Sequence, residues 1–102
     1  MKKLEPVHPG AFLSGEFLEP LDISQNRLAR DIGVCPARIN EICQGKRGIT
    51  ADTALRLSLY FDTTPELWMN FQKGYELDCI RLKEMDILKK TIKPCVRVAA
   101  MF

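Results

Sequence analysis

The chain has 102 residues, 46% of them hydrophobic and 27% charged, a composition that suits one globular domain with a modest core and excludes a low-complexity chain. No apolar run reaches the ~18 residues of a membrane helix, and MKKLEPVHPG lacks the apolar segment of a secretory signal, so a cytoplasmic protein with no membrane contact is expected. Net charge is only +2 and unevenly spread: residues 1–23 carry two basic and four acidic groups, residues 24–47 five and two, and residues 48–102 eight and seven.

The pattern predicts an all-α domain. Residues 1–8 read as an extended arm. A first helix starts at Pro9, since proline suits the first helical position, with Phe12, Leu13, Phe17 and Leu18 on one side. Pro20 is expected to end it, because proline cannot continue the helical ladder. Ser24 is an N-cap for a second helix whose apolar face is Leu28, Ala29 and Ile32, and Gly33 stops it in a left-handed conformation. Val34 and Cys35 form a turn, and Pro36 opens a third helix with Ile39, Ile42 and Cys43 inward, ended by Gly45.

After the basic loop Lys46-Arg47-Gly48, Thr50 caps a fourth helix with Asp52 in its first turn, where negative charge complements the helix dipole. Ala54, Leu55, Leu57 or Ser58, and Phe61 supply its helical period. Thr64-Pro65-Glu66 starts a fifth helix carrying Leu67, Trp68, Phe71 and Tyr75, which is read as core or interface aromatics rather than a stack for bases. Gly74 is a candidate kink or break, and helical spacing continues through Leu77, Ile80 and Leu88. The charges between them read as a solvated face, with Glu76 and Arg81, or Glu84 and Lys89, only near ion-pair spacing. Pro94 breaks the pattern. In residues 94–102, Val96, Val98, Ala100 and Phe102 alternate like one face of a strand, which would pair across a dimer axis or remain an apolar tail.

The four cysteines, Cys35, Cys43, Cys79 and Cys95, form no C-x-x-C pair, and His8 is the only histidine, so neither a zinc site nor any other metal or cofactor is expected. Cys35 and Cys43, eight residues apart on one helix, would stand ~12 Å apart along it, too far for a disulfide. Cys35 reads as a small turn residue rather than a redox thiol. His8 has no paired nucleophile and reads as a cap or packing group before the first helix, so no catalytic residue and no enzyme is expected.

The stretch SQNRLARDIGVCPARINEICQGK carries the chemistry. Counting Gln25 as first, the fifth position is Ala29, small enough for close helix contact, and the ninth is Gly33, free of a Cβ clash in the turn. Leu28, Ile32, Val34, Ile39 and Ile42 form an apolar wedge that sets the interhelix angle. This is helix-turn-helix spacing over residues 25–44, within a domain spanning 9–93. Pro36, Ala37, Arg38, Asn40, Glu41 and Gln44 are left on the outer side of the helix that enters a major groove in this motif. Gln25 and Asn26 sit at a helix N-terminus that can aim amides at phosphate, and Lys46 and Arg47 follow the reading helix as backbone contacts.

His8-Pro9-Gly10, the FLEPL run at Phe17–Leu21, Ile39–Leu57 and the PELWMNFQ segment from Pro65 together resemble the HigA-type (VapI-type) antitoxins of the Xre-like helix-turn-helix class, over about residues 8–78. The resemblance implies a five-helix Cro/C1-like (lambda-repressor-like) domain with an extended fifth helix. It further implies a homodimer that binds double-stranded operator DNA, represses its own operon and neutralises a HigB-type toxin, a RelE-like ribonuclease that cleaves messenger RNA. By matching position, operator contacts would come from Gln25, Asn26, Pro36, Ala37, Arg38, Asn40 and Glu41.

One departure from the related repressors matters. Pro36 and Ala37 offer base edges only apolar contact where polar readers are usual, which leaves Arg38 as the best candidate for direct readout. Cys35, in the usual polar cap position, should cap poorly. Two other readings stay open: a stand-alone Xre-type regulator without a toxin, and a protein-binding module whose helix-turn-helix is only scaffold.

Overall fold

A computed structural model describes residues 5–95, and the strand expected over Val96–Phe102 lies outside them. The described residues form five helices and no strand. Helix α1 (9–21) is composite: an α-helical turn Pro9–Phe12, a π-helical stretch Leu13–Leu18 and a closing α-turn Glu19–Leu21. Helix α2 is Gln25–Ile32, α3 Pro36–Cys43, α4 Ala51–Phe61 and α5 Pro65–Thr91.

Pro20 does not end α1. In a regular helix its ring would meet the carbonyl four residues back. The wider π turns, with Glu19 N–H reaching back to Ser14 O, carry the chain past that clash to Leu21. The actual stop is Asp22, at φ 54°. Helices α1 to α4 all finish alike. A left-handed residue (Asp22, Gly33, Gly45, Asp62) is followed by an N–H that reaches back five residues: Ile23 to Leu18, Val34 to Ala29, Lys46 to Glu41 and Thr63 to Ser58. Each such bond satisfies a carbonyl that the helix end would leave bare.

The core is Leu13, Leu18, Leu28, Ala29, Ile32, Ile39, Ile42, Ile49, Ala54, Leu57 and Trp68. The fully buried Trp68 packs against Phe12, Phe17 and Phe61, and its indole N–H donates to Thr63 Oγ1 at 2.8 Å. Phe71 stacks on Phe12, and Tyr75 meets His8 edge-on. The aromatic series of α5 is therefore packing, as its spacing predicts. Leu55, expected inward, is instead exposed: Ala54, Leu57 and Ser58 fill the buried side of α4, and Leu55 falls outside that arc. Gly74 does not split α5, which runs unbroken to Thr91.

Candidate nucleic-acid interface

The two helices of the motif are fixed from their ends. Ser24 Oγ accepts from Arg27 N–H at 3.0 Å and caps α2. Gly33, at φ 76°, turns the chain toward α3. Arg56 of α4 then closes the end of α2, donating to Ile32 O at 2.7 Å and Gly33 O at 3.3 Å. Tyr60 ties the same helix down by donating to Asp31 at 2.8 Å. Cys35, with no side-chain hydrogen bond, is the poor cap its sulfur predicts, and Pro36 at the first position removes one donor that needs no cap.

Helix α3 is held from behind by backbone contact. A Cβ on Gly10 would collide with the carbonyl of Ile42, so α1 and α3 meet without a side chain between them. His8 Nδ1 accepts from Gly10 N–H at 2.9 Å and Pro9 is buried, which aligns this turn. The loop after α3 is pinned by the buried Gln72 of α5, whose Oε1 accepts from Ile49 N–H at 2.8 Å. Gln72 Nε2 donates to Glu76, and that hydrogen bond holds the Glu76 carboxyl below its usual range.

The motif leaves one outer face. Pro36, Ala37 and Gln44 are exposed and Asn40 and Glu41 half-buried, so Ala37, Asn40, Glu41 and Gln44 line one side of α3 at helical spacing. Asn26 is exposed and Gln25 half-buried at the start of α2, and Lys46 and Arg47 are exposed after α3.

Three of these charged groups are already engaged. Arg38 lies on the flank facing α4, its Nη1 donating to Asp52 at 2.8 Å. Asp52 also accepts from Arg56 Nε at 3.0 Å, and the two guanidinium hydrogen bonds hold its carboxyl below the ordinary carboxylate range. Glu41 pairs with Arg47 at 2.8 Å, folding the basic loop back over the end of α3. Lys46 makes no ion pair among the described residues. The sequence reading did not single out Arg56 or the anchoring role of Asp52. Their i,i+4 acid-to-base spacing on α4 was the available signal. It also missed Gln72, whose pattern gives nothing to distinguish it from a solvated glutamine.

Among the described residues, no group of three or more His, Cys, Asp or Glu could hold a metal ion. No helix there is long and apolar enough to cross a membrane, and all four cysteines are free thiols.

A family model described as helix-turn-helix matches residues 16–68. Virulence-associated protein I of Dichelobacter nodosus is 47% identical over 75 residues, covering 74% of this chain and 69% of that protein. Antitoxin HigA-1 of Vibrio cholerae is 36% identical over 75 residues, covering 74% of this chain and 70% of that protein. The solved structure of Pseudomonas aeruginosa antitoxin HigA with the higBA promoter is 41% identical, with a TM-score of 0.85 over 88% of this chain and 98% of that one.

Proposed function

This chain belongs to the Xre-type helix-turn-helix family and, within it, to the HigA-type antitoxins, and from that premise we propose that it is the antitoxin of a type II toxin–antitoxin module. In this reading it works in the cytoplasm as a homodimer, binds the operator of its own operon as a repressor, and neutralises a HigB-type, RelE-like ribonuclease that cleaves messenger RNA. The observation that carries the DNA half is the outer face of α3. Ala37, Asn40 and Gln44 project together from a helix anchored on its inner side by Ile39, Ile42 and the Gly10 contact.

The proposed division of labour follows from chemistry. Gln25 and Asn26, at the N-terminus of α2, hydrogen-bond phosphate or base edges beside it. Pro36 and Ala37 give apolar contact, for instance to a thymine methyl, while Asn40, Glu41 and Gln44 supply polar groups toward the bases. Arg38 reads guanine from the flank, with Asp52 limiting how far its guanidinium can swing. Lys46 and Arg47 meet phosphate, which positions the domain without reading sequence.

Titrating the protein into labelled upstream DNA of its own operon, with unrelated DNA beside it, tests the repressor half. Specific binding whose logarithm falls linearly with the logarithm of salt concentration is expected, because phosphate contacts release counterions. Folded protein that ignores this DNA at low salt would refute it. The antitoxin half is read from the neighbouring reading frame. Its product should be a small ribonuclease-like protein that co-purifies with this chain and stops cleaving messenger RNA when bound.

A further inference from the structure

The helix caps of this chain are not alike. Ser24, Thr50 and Thr64 cap α2, α4 and α5 with a hydroxyl oxygen. Helix α1 is capped by an imidazole, His8 Nδ1 accepting from Gly10 N–H at 2.9 Å. A hydroxyl would serve that amide as well. What an imidazole adds is a flat ring with a second nitrogen on its far side. Because Nδ1 accepts, the neutral ring carries its proton on Nε2, which is therefore a donor.

That far side faces the loop after α3. A Cβ on Gly45 would stand 3.8 Å from His8 Cγ and 3.9 Å from Cδ2, so the ring lies along the left-handed turn that ends α3. The Arg47 backbone works against burial to raise the pKa of the ring, as an accepting carbonyl does, and Arg47 N–H is already given to Glu41 O. The Nε2–H side of His8 is thus turned to the Arg47 carbonyl. Tyr75 of α5 backs the ring edge-on, the two centroids 4.9 Å apart. The rest of the loop leans on α5: Gln72 Oε1 accepts from Ile49 N–H at 2.8 Å, and a Cβ on Gly48 would strike the Gln72 amide. The loop that carries the exposed Lys46 and Arg47 therefore rests on two side chains, His8 beside residues 45–47 and Gln72 beside residues 48–49.

We propose that His8 is a positioning residue of the nucleic-acid interface: its ring face and Nε2–H hold residues 45–47 where Lys46 and Arg47 meet phosphate. His8 itself touches no DNA. The inference rests on the phosphate role given to Lys46 and Arg47 above. It divides the ring by task, Nδ1 serving the fold by capping α1 and Nε2 serving the interface.

Two amides separate those tasks. His8→Asn places an acceptor close to the backbone, where Nδ1 stands, and lacks the far donor. His8→Gln extends a donor toward the place of Nε2 and gives up the near cap. The test measures operator affinity of each full chain by fluorescence anisotropy over a series of salt concentrations, with circular dichroism to verify folding and urea unfolding to rank stability. His8→Asn is expected to bind operator about three- to tenfold more weakly than the parent, with a salt slope smaller by about one. His8→Gln is expected to be the less stable of the two variants and the tighter binder. On a Lys46→Ala, Arg47→Ala background, His8→Asn is expected to cost no further affinity, because the groups it positions are gone. Parent-like binding by His8→Asn, an affinity order that follows the stability order, or a further loss on the double-alanine background overturns the positioning role. Parent-like affinity and salt slope in the double-alanine chain overturn the phosphate reading of Lys46 and Arg47, and this inference with it, as does a parent chain that ignores the operator.

Discussion

Gly10 lies directly against the carbonyl of Ile42, with no space for even a methyl group between α1 and α3. The contact sets how far α3 can sink into the domain, because both sides are backbone and neither can swing away. It also accounts for the His8-Pro9-Gly10 sequence as one device. His8 caps, Pro9 starts the helix with its ring buried, and Gly10 lets α3 approach.

Gly10→Ala is therefore expected to destabilise the fold by about 1–3 kcal/mol or more, the range for forcing an extra methyl into a filled site. Gly15→Ala is the contrast. Nothing lies within 4 Å of its Cβ position, and an alanine there should stabilise by about 0.5–1 kcal/mol through the lower entropy of its unfolded chain. Urea denaturation of the two variants checks both. Equal effects at the two positions would show that the close approach of α1 and α3 is not what glycine serves.

How much of this was legible in the sequence depended on whether the signal was local. Ser24, Thr50 and Thr64 mark their helix starts because a cap is a matter of three or four consecutive residues. Gly33 and Gly45 mark two of the left-handed stops for the same reason. Asp22 and Asp62 make the same stop but carry no such mark, since aspartate enters that conformation only occasionally. Pro20 misled, because the π-helical turns that admit it depend on how α1 packs rather than on the residues beside the proline. In the candidate interface, helix spacing picked out the exposed side of α3. The pairing of Arg38 with Asp52, 14 residues on, and the clasp of Arg56 on Ile32 needed the fold itself.

Asp62 offers a second stability test. Its φ of 55° is costly for a residue with a Cβ, and its carboxylate sits at the negative end of the α4 dipole. Asp62→Gly removes both penalties, so the midpoint of urea unfolding should rise, corresponding to about 0.5–1 kcal/mol. A lower midpoint would mean that the aspartate makes a compensating interaction.

The Arg38–Asp52–Arg56 chain makes separable predictions for DNA binding. Arg38→Ala should cost about 1–3 kcal/mol on operator DNA, the usual worth of one bidentate base contact, with little effect on unrelated DNA. Asp52→Asn does something different. It frees the guanidinium and removes a negative charge beside the reading face, so affinity for unrelated DNA rises and discrimination falls. Fluorescence anisotropy on operator and scrambled duplexes at matched salt gives both ratios. An unchanged ratio in both variants would remove Arg38 from the specificity-determining set.

His8 should make stability depend on pH. Burial pushes its pKa below the ordinary 6.5, with a smaller opposing contribution from the Arg47 backbone. The neutral ring is also the form whose Nδ1 can accept from Gly10 N–H. A histidine with a depressed folded-state pKa binds its proton more readily when unfolded. The stability it contributes is complete above pH 6.5 and is lost as the pH falls through the lower folded value. Since this is the only histidine in the chain, a drop in Tm between pH 7.5 and pH 5.5 belongs to it wherever carboxylates are not yet titrating. His8→Asn keeps an oxygen able to cap Gly10 but cannot titrate, and its Tm should be level across that interval. An equal drop in His8→Asn would assign the pH dependence to another group.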